Sequence, residues 1–490
     1  MLTTEKEVLT VNHFINGQYR QSATKKTFEV HDPSNQRLIA IVSEASEEDV
    51  TEAANSARQA FEHSEWRTMP LAERCAKIRR MADIIVERKE EIARLEAMDV
   101  GKPYQHAVGS DIPRAAHNLR FYADFVEKQG DEAYPMDENF INYTRYEPVG
   151  VAGLITPWNA PFMLTTWKLG PCLAAGNTAV IKPAELTPLS VSLLGEIAQQ
   201  AGIPDGVVNV IHGSGKTVGT WVTEQPEIDL ISFTGSTVTG KQIIKNGADT
   251  LKKTSFELGG KAANIIFEDA DLSKAVPTSI QAAFLNSGQV CLAGSRILVQ
   301  RTILDEFLEK FKAAAEALVV GDPQDPKTTT GPLVSKVQYD KVNYYIELAK
   351  EEGAKLITGD QPLQLSDDLA KGYYIAPTIF LHHDPNARTC QEEIFGPVVT
   401  ILPFDTEEEA LAIANNTDYG LNGVIWTENL KRAHRVSYAV RAGTIWVNCW
   451  FVRDLRVPFG GFKKSGVGRE GGRHSMEFFT EAKNICISLN

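Results

Sequence analysis

Paired cysteine spacing is missing from this chain: Cys75, Cys172, Cys291, Cys390, Cys449 and Cys486 are scattered, with no CxxC among them. That disfavours a disulfide framework and a zinc site alike, and no metal is expected. Long apolar runs are missing too. Stretches such as Val149-Gly150-Val151-Ala152-Gly153-Leu154-Ile155 stop far short of the roughly 20 residues that a membrane span needs. Residues 1–10 mix charged and apolar side chains without a hydrophobic centre, so they do not read as a secretory signal. No basic run offsets a formal net charge of -13, which argues against nucleic acid as a partner. These absences leave a soluble cytoplasmic protein, with no membrane partner, as the expectation.

Phosphate-loop motifs are present only in broken form. Gly213-Ser214-Gly215-Lys216-Thr217 has Val210 where a P-loop needs its first glycine, and the run from Gly235 to Lys241 has Gln242 in place of a magnesium-binding hydroxyl. No orthodox GxGxxG appears either, because the glycine after Gly213-Ser214-Gly215 comes one position late, at Gly219. An ATPase is therefore set aside.

What is present is an ordinary globular composition, 43% hydrophobic and 23% charged, in a chain longer than a single core usually supports. Residues 13–42 read as short strands and turns, with a hairpin-type Asn16-Gly17. Ser46-Glu47-Glu48 opens an amphipathic helix, a second helical pattern runs over 71–98, and a third starts at Asp111-Ile112-Pro113-Arg114. Residues 140–146 alternate as a strand does. From Gly150 strands (151–156, 178–182, 207–211, 230–233) alternate with helices (161–175, 189–201), the pattern of a doubly wound sheet with its ligand at the strand carboxyl ends. Beyond Gly260 a second α/β unit follows, with strands over 264–267 and 296–300 and helices over 273–285 and 304–317.

Within that second unit, Phe284-Leu285-Asn286-Ser287-Gly288-Gln289-Val290-Cys291 places one thiol between a glycine turn and a strand. A lone cysteine is usually a small buried hydrophobe, but a thiolate beside turn N–H groups is a nucleophile. Four further blocks accompany it: Thr156-Pro157-Trp158-Asn159, Phe233-Thr234-Gly235-Ser236, Ser255-Phe256-Glu257-Leu258-Gly259-Gly260-Lys261 and Glu392-Glu393-Ile394-Phe395-Gly396-Pro397. In this order, and over nearly the whole length, they resemble the aldehyde dehydrogenase superfamily.

The resemblance implies an α/β fold made of a Rossmann-like NAD-binding domain (1–125 and 148–258), an α/β catalytic domain (259–474) and a small β oligomerisation arm (126–147 and 475–490) of a homodimer or homotetramer. It implies Cys291 as nucleophile, Asn159 as oxyanion donor and Glu257 as general base, and NAD as cofactor. Cofactor contacts are implied for Thr156, Pro157, Trp158, Lys182, Glu185, Gly215, Phe233, Gly235, Ser236, Leu258, Glu393 and Phe395. A carboxylate at Glu185 would accept from both adenosine ribose hydroxyls and repel a 2′-phosphate, favouring NAD over NADP; the bland alternative is a solvated loop charge. Relatives that pass the acyl group to coenzyme A lack a glutamate at the position of Glu257, so the chain reads as hydrolytic. Catalytically silent relatives lack the cysteine, which is present here.

Finer blocks, Asp111-Ile112-Pro113-Arg114-Ala115-Ala116-His117-Asn118, Cys449-Trp450-Phe451-Val452-Arg453-Asp454-Leu455-Arg456 and Arg469-Glu470-Gly471-Gly472, look like dehydrogenases of muconate-type semialdehydes in aromatic-compound degradation. An acidic substrate needs local cations, and guanidinium groups match carboxylates. Arg114 and Arg453 are the candidates, with Trp167 beside them; the alternatives are a snorkelling Arg114 and an Arg453 paired with adjacent acids. Met163, Tyr143, Pro171-Cys172-Leu173 and the ending 483–488 look most like the 5-carboxymethyl-2-hydroxymuconate enzyme. Cys449-Trp450-Phe451 leans to the 2-hydroxymuconate and 2-aminomuconate enzymes. A broad-specificity or betaine-type aldehyde dehydrogenase is the alternative, although channel arginines would repel a cationic substrate.

Overall fold

The computed structural model describes residues 8–490. Ser46 starts the first helix, Glu47–His63, through a reciprocal cap: its hydroxyl accepts the Asp49 N–H while the Asp49 carboxylate accepts the Ser46 N–H. Val50, Ala53, Ala54 and Ala57 on this helix are buried. They lie in one apolar cluster with Val151 and Val180 of the first sheet.

That sheet has eight strands in the order Gly466–Val467, Lys253–Glu257, Leu230–Thr234, Val151–Ile155, Thr178–Lys182, Val208–Val210, His13–Ile15, Gln18–Arg20. The five strands from Lys253–Glu257 to Val208–Val210 run parallel. Val151–Ile155 and Thr178–Lys182 are buried at every position, as expected where both faces are covered. The carboxyl ends of these strands carry Thr156, Pro183 and Gly235, so the crevice there is the natural ligand site of a doubly wound sheet.

A seven-stranded sheet, in the order Lys355–Thr358, Thr378–Leu381, Val398–Phe404, Arg296–Gln300, Ala263–Ile266, Asn422–Trp426, Thr444–Val447, forms the second layered unit. All its pairings are parallel except the first. A third sheet joins Thr480–Ser488, Phe140–Pro148 and Ala133–Asp137 in antiparallel register. A short sheet of Leu9–Val11, Leu38–Ser43 and Thr27–His31 packs near the amino terminus. Among the described residues, no helix is long and apolar enough to cross a membrane.

Two helical expectations are corrected. The single helix over 71–98 is two helices, Leu71–Glu87 and Lys89–Asp99, broken at Arg88 (φ -101°, ψ 13°). Arg88 at the break binds Glu91 and Glu196, which ties it to a neighbouring helix. The helix over 189–201 shrinks to a 3₁₀ turn, Val191–Leu193, and a helix, Leu194–Gln200. Its intended first turn is captured by buried acids: Leu189 N–H donates to Asp99 at 2.9 Å and the Ser190 hydroxyl to Glu96 at 3.3 Å. The helix expected at Asp111 is Ile112–Val126, entered through a π-turn at Ala107–Asp111.

Candidate active site

The turn before Cys291 is wound the wrong way for most residues. Asn286 (φ 50°), Ser287 (φ 57°) and Gly288 (φ 72°) are all left-handed, a conformation that costs a non-glycine residue roughly 1–2 kcal/mol. Side-chain bonds hold it. The Asn286 amide donates to the Asn159 carbonyl at 3.1 Å, the Ser287 hydroxyl to the Gly331 carbonyl at 2.7 Å, and Val334 N–H to the Gln289 side chain at 3.0 Å. Gly288 is obligatory, since a Cβ there would lie 2.1 Å from the Gly396 carbonyl oxygen. The strain delivers Cys291, partly exposed, to the junction of two cavities that it lines together with Asn159, Leu164, Thr234 and Glu257.

Each predicted catalytic residue thus reaches one place from a different element. Asn159 precedes helix Pro161–Ala175, and its amide donates one hydrogen to the Gln289 carbonyl at 2.8 Å, leaving the other N–H for a ligand. Glu257 ends strand Lys253–Glu257. Both its carboxylate oxygens are buried without a protein partner. Burial, then the nearby Glu470 charge, drive its pKa well up, against the opposing pull of Lys168, Arg453 and Arg469. Burial likewise pushes the Cys291 thiol up to about 12, with Glu393 and Glu257 adding to the shift. The resting nucleophile is therefore a thiol, and Glu257 can take its proton only when it is itself ionised.

One cavity, of about 200 Å³, is lined by Pro157, Trp158, Gly235, Ser236, Leu258, Glu393 and Phe395 among others. Phe395, itself left-handed (φ 61°), packs edge-on against Trp158 with ring centroids 5.1 Å apart. Glu393 accepts the Gly260 N–H at 2.8 Å. Ser236 caps helix Thr237–Asn246, and the space beside Gly235 is already filled, since a Cβ there would lie 2.4 Å from the Phe233 ring. Away from this cavity lining, Lys182 closes strand Thr178–Lys182 and Glu185 stands just past its end, with Nζ and Oε2 3.8 Å apart, and a Cβ at Gly215 would come no nearer than 4.0 Å to Glu185. A bare glycine approach, a capped helix start and a carboxylate at a strand end fit a dinucleotide. Thr156 lies behind this face, 3% exposed, accepting a bond from the Thr165 hydroxyl.

The other cavity, of about 240 Å³, is lined by Arg114, Met163, Trp167, Phe451, Arg453 and Phe459 among others. Arg453 lies over the Phe459 ring at 3.7 Å and near Trp167 at 5.1 Å. The alternative in which Arg453 pairs with adjacent acids is not what the structure has: Asp454 binds Arg456 instead. Arg114 makes no ion pair among the described residues, and burial, helped by Arg453, lowers its pKa to about 10. The arginines are the cavity's unpaired cations, because Lys102 is held by Asp111 and Glu96.

Sequence reasoning missed the support beneath. Lys168 and Glu470 form a buried ion pair at 2.7 Å, and Glu470 also accepts the Trp167 indole N–H at 2.5 Å. The signal was available: Lys168 is the only charged residue in the apolar helix Pro161–Ala175. Gln338 and Lys341, which line the 200 Å³ cavity, had no such signal.

The family model described as "Aldehyde dehydrogenase family" matches residues 19–485. The chain is 47% identical over 484 residues to the 2-hydroxymuconic semialdehyde dehydrogenase of Pseudomonas sp. (strain CF600), covering 98% of this chain and 99% of the relative. It is 44% identical over 469 residues to the 5-carboxymethyl-2-hydroxymuconate semialdehyde dehydrogenase of Escherichia coli, covering 95% and 98%. An NAD+ complex of an aldehyde dehydrogenase from Bacillus cereus superposes with a TM-score of 0.95 at 42% identity, covering 98% of this chain and 97% of that one. A thiol between two cavities, on this fold and with these relatives, makes the chain an NAD-dependent, aldehyde-oxidising enzyme that belongs to the aldehyde dehydrogenase family.

Proposed function

We propose that the protein oxidises a carboxylated semialdehyde of the muconate type to the acid, through a thioester on Cys291. The observation that carries the substrate class is the pair of unpaired guanidinium groups, Arg114 and Arg453, lining the cavity opposite the cofactor side. Neither guanidinium has an ion-pair partner among the described residues, and a carboxylate would supply one. The relatives named for 2-hydroxymuconic and 5-carboxymethyl-2-hydroxymuconate semialdehydes support the same class.

In this reading Cys291, deprotonated toward Glu257, adds to the aldehyde carbon to give a thiohemiacetal. The free Asn159 N–H and the Cys291 backbone N–H stabilise the oxyanion; removing one such donor costs about 10²–10³ in rate. Bound NAD supplies the acceptor for the hydride that this carbon releases. What remains on Cys291 is a thioester. Glu257 releases the proton taken from Cys291 to solvent; as carboxylate it then takes a proton from water, which attacks the acyl carbon, and passes that proton to the departing Cys291 sulfur, freeing the acid and the thiol. Lys182 and Glu185 hold the adenosine ribose, while Glu393 and Phe395 hold the nicotinamide end. Residues 1–125 with 148–258 bind the cofactor, 259–474 carry the thiol, and 126–147 with 475–490 form the arm of a homodimer or homotetramer.

The test is steady-state kinetics over a panel: 5-carboxymethyl-2-hydroxymuconate, 2-hydroxymuconate and 2-aminomuconate semialdehydes, a neutral aldehyde and betaine aldehyde. The carboxylated members are expected to show the highest kcat/KM. Arg114→Ala and Arg453→Ala should each cut their advantage over the neutral aldehyde by roughly 10- to 100-fold. An unchanged ratio would leave a broad-specificity enzyme as the better reading.

A further inference from the structure

Arg114 and Arg453 face one cavity but are held by different means. Arg453 is held by ring faces, whereas Arg114 is held at one nitrogen only, by the side chain of Asn118. We infer that Asn118 is a positioning residue that turns the Arg114 guanidinium end-on into the cavity for a substrate carboxylate. The inference rests on the reading of the substrate as carboxylated.

Asn118 lies one helical turn after Arg114 on Ile112–Val126 and is 1% exposed. Gly170 lets the neighbouring helix Pro161–Ala175 come close, for a Cβ there would lie 3.0 Å from the Tyr122 ring and 3.3 Å from the Asn118 carbonyl. That approach brings two acceptors to the Asn118 amide nitrogen: the Met163 carbonyl at 3.1 Å and the Thr166 hydroxyl oxygen at 3.3 Å. Thr166 gives its own proton to the same Met163 carbonyl at 2.9 Å, so it offers Asn118 a lone pair. The amide therefore has one tolerable orientation, because a flipped Oδ1 would face a carbonyl and a lone pair.

With its nitrogen committed, Asn118 Oδ1 accepts Arg114 Nε–H at 3.2 Å. A guanidinium grips a carboxylate either side-on, through Nε and one terminal nitrogen, or end-on, through both terminal nitrogens. Occupation of Nε leaves the end-on grip. The acceptor is also neutral, so it aims the cation without cancelling it. Asp111, an acid that lines the same cavity and lies three residues before Arg114, is bound by Lys102 and His106 instead.

Asn118→Asp would put a compensating charge on Nε, and Asn118→Leu would remove the acceptor. For Asn118→Asp the KM for 2-hydroxymuconate semialdehyde should rise about tenfold or more, with kcat/KM for a neutral aldehyde changed less than about twofold. Asn118→Leu should show a smaller loss in the same direction, and it supplies the comparison if the aspartate variant does not fold. In an Arg114→Ala background, Asn118→Leu should not alter the acid-to-neutral ratio further, which a residue acting only through packing would not reproduce; the aspartate is left out of that background because its charge would repel the substrate directly. Equal losses on both substrates, no loss, or a full effect of Asn118→Leu persisting without Arg114 would overturn the inference. Should Arg114→Ala itself leave the ratio intact, the carboxylate reading has failed; should that variant lower it while the Asn118 variants do not, only the role of Asn118 has.

Discussion

The two cavities that meet at Cys291 are built from different material. The cofactor side relies on backbone and short consecutive motifs: Gly235 against Phe233, Ser236 capping a helix, Glu393 fastened to the Gly260 N–H. The substrate side is made of side chains from segments far apart in the chain, gathered around Arg114, Trp167, Arg453 and Glu470. On the proposed assignment, dinucleotide binding rests on local geometry that tolerates little change, whereas aldehyde preference rests on a few charges that substitution can move. Damage at the shared thiol should stop the chemistry while leaving both walls able to bind, and damage to either wall should alter only its own ligand.

The largest effect is expected at the junction itself. Cys291→Ala should lower kcat by on the order of 10⁴ or more, while NAD binding, followed by fluorescence, stays close to that of the parent. Loss of cofactor binding in that variant would break the separation of the two sides. Glu257→Gln should come next, at about 10²–10⁴ in turnover, with NADH formation in a single turnover slowed as well, since Glu257 takes the Cys291 proton before it activates water. The pH profile sharpens the assignment. A base works only as carboxylate, and burial raises the Glu257 pKa, so turnover should climb as pH rises through that raised value. The glutamine variant should lose this limb; retention of the limb would assign the titration to another group. The arginine substitutions rank below these, since they change a ratio between substrates and leave the chemical step intact.

The same contrast explains how much the sequence disclosed. The proposed cofactor residues were also reached through the resemblance, but they sit in runs such as Phe233-Thr234-Gly235-Ser236, where a glycine and a helix-capping serine give the resemblance a local physical basis. Cys291 was legible by its glycine turn, although three successive left-handed residues before it were not. On the substrate wall, Arg114 and Arg453 emerged only through resemblance to a subgroup. Their supports are contacts between distant segments, such as Lys168 with Glu470 across 302 positions, and no local pattern encodes those. The break at Arg88 and the lost helix turn at Leu189 both sit where contacts to distant segments, the Arg88–Glu196 ion pair and the Leu189 N–H bond to Asp99, outweigh periodicity.

The smallest effect probes the far end of the cofactor side. Glu185 is 42% exposed in its side chain and lies 3.8 Å from the buried Lys182 ammonium, which also donates to the Pro183 carbonyl at 3.0 Å. A 2′-phosphate entering beside Glu185 would meet that carboxylate. At about 4 Å two unit charges interact with roughly 1 kcal/mol in bulk water and about 4 at an effective surface dielectric, and partial exposure places this site toward the lower figure. Glu185→Ser removes the repulsion and leaves the Lys182 cation without its neighbouring acid, so both changes favour the phosphate. The ratio of kcat/KM for NADP to that for NAD should rise about tenfold, shrinking as salt is added. The preference for carboxylated over neutral aldehydes should not move. An unchanged cofactor ratio would show that the adenosine end is read by something other than this charge. A shift in aldehyde preference would instead show that the two walls are coupled through Cys291.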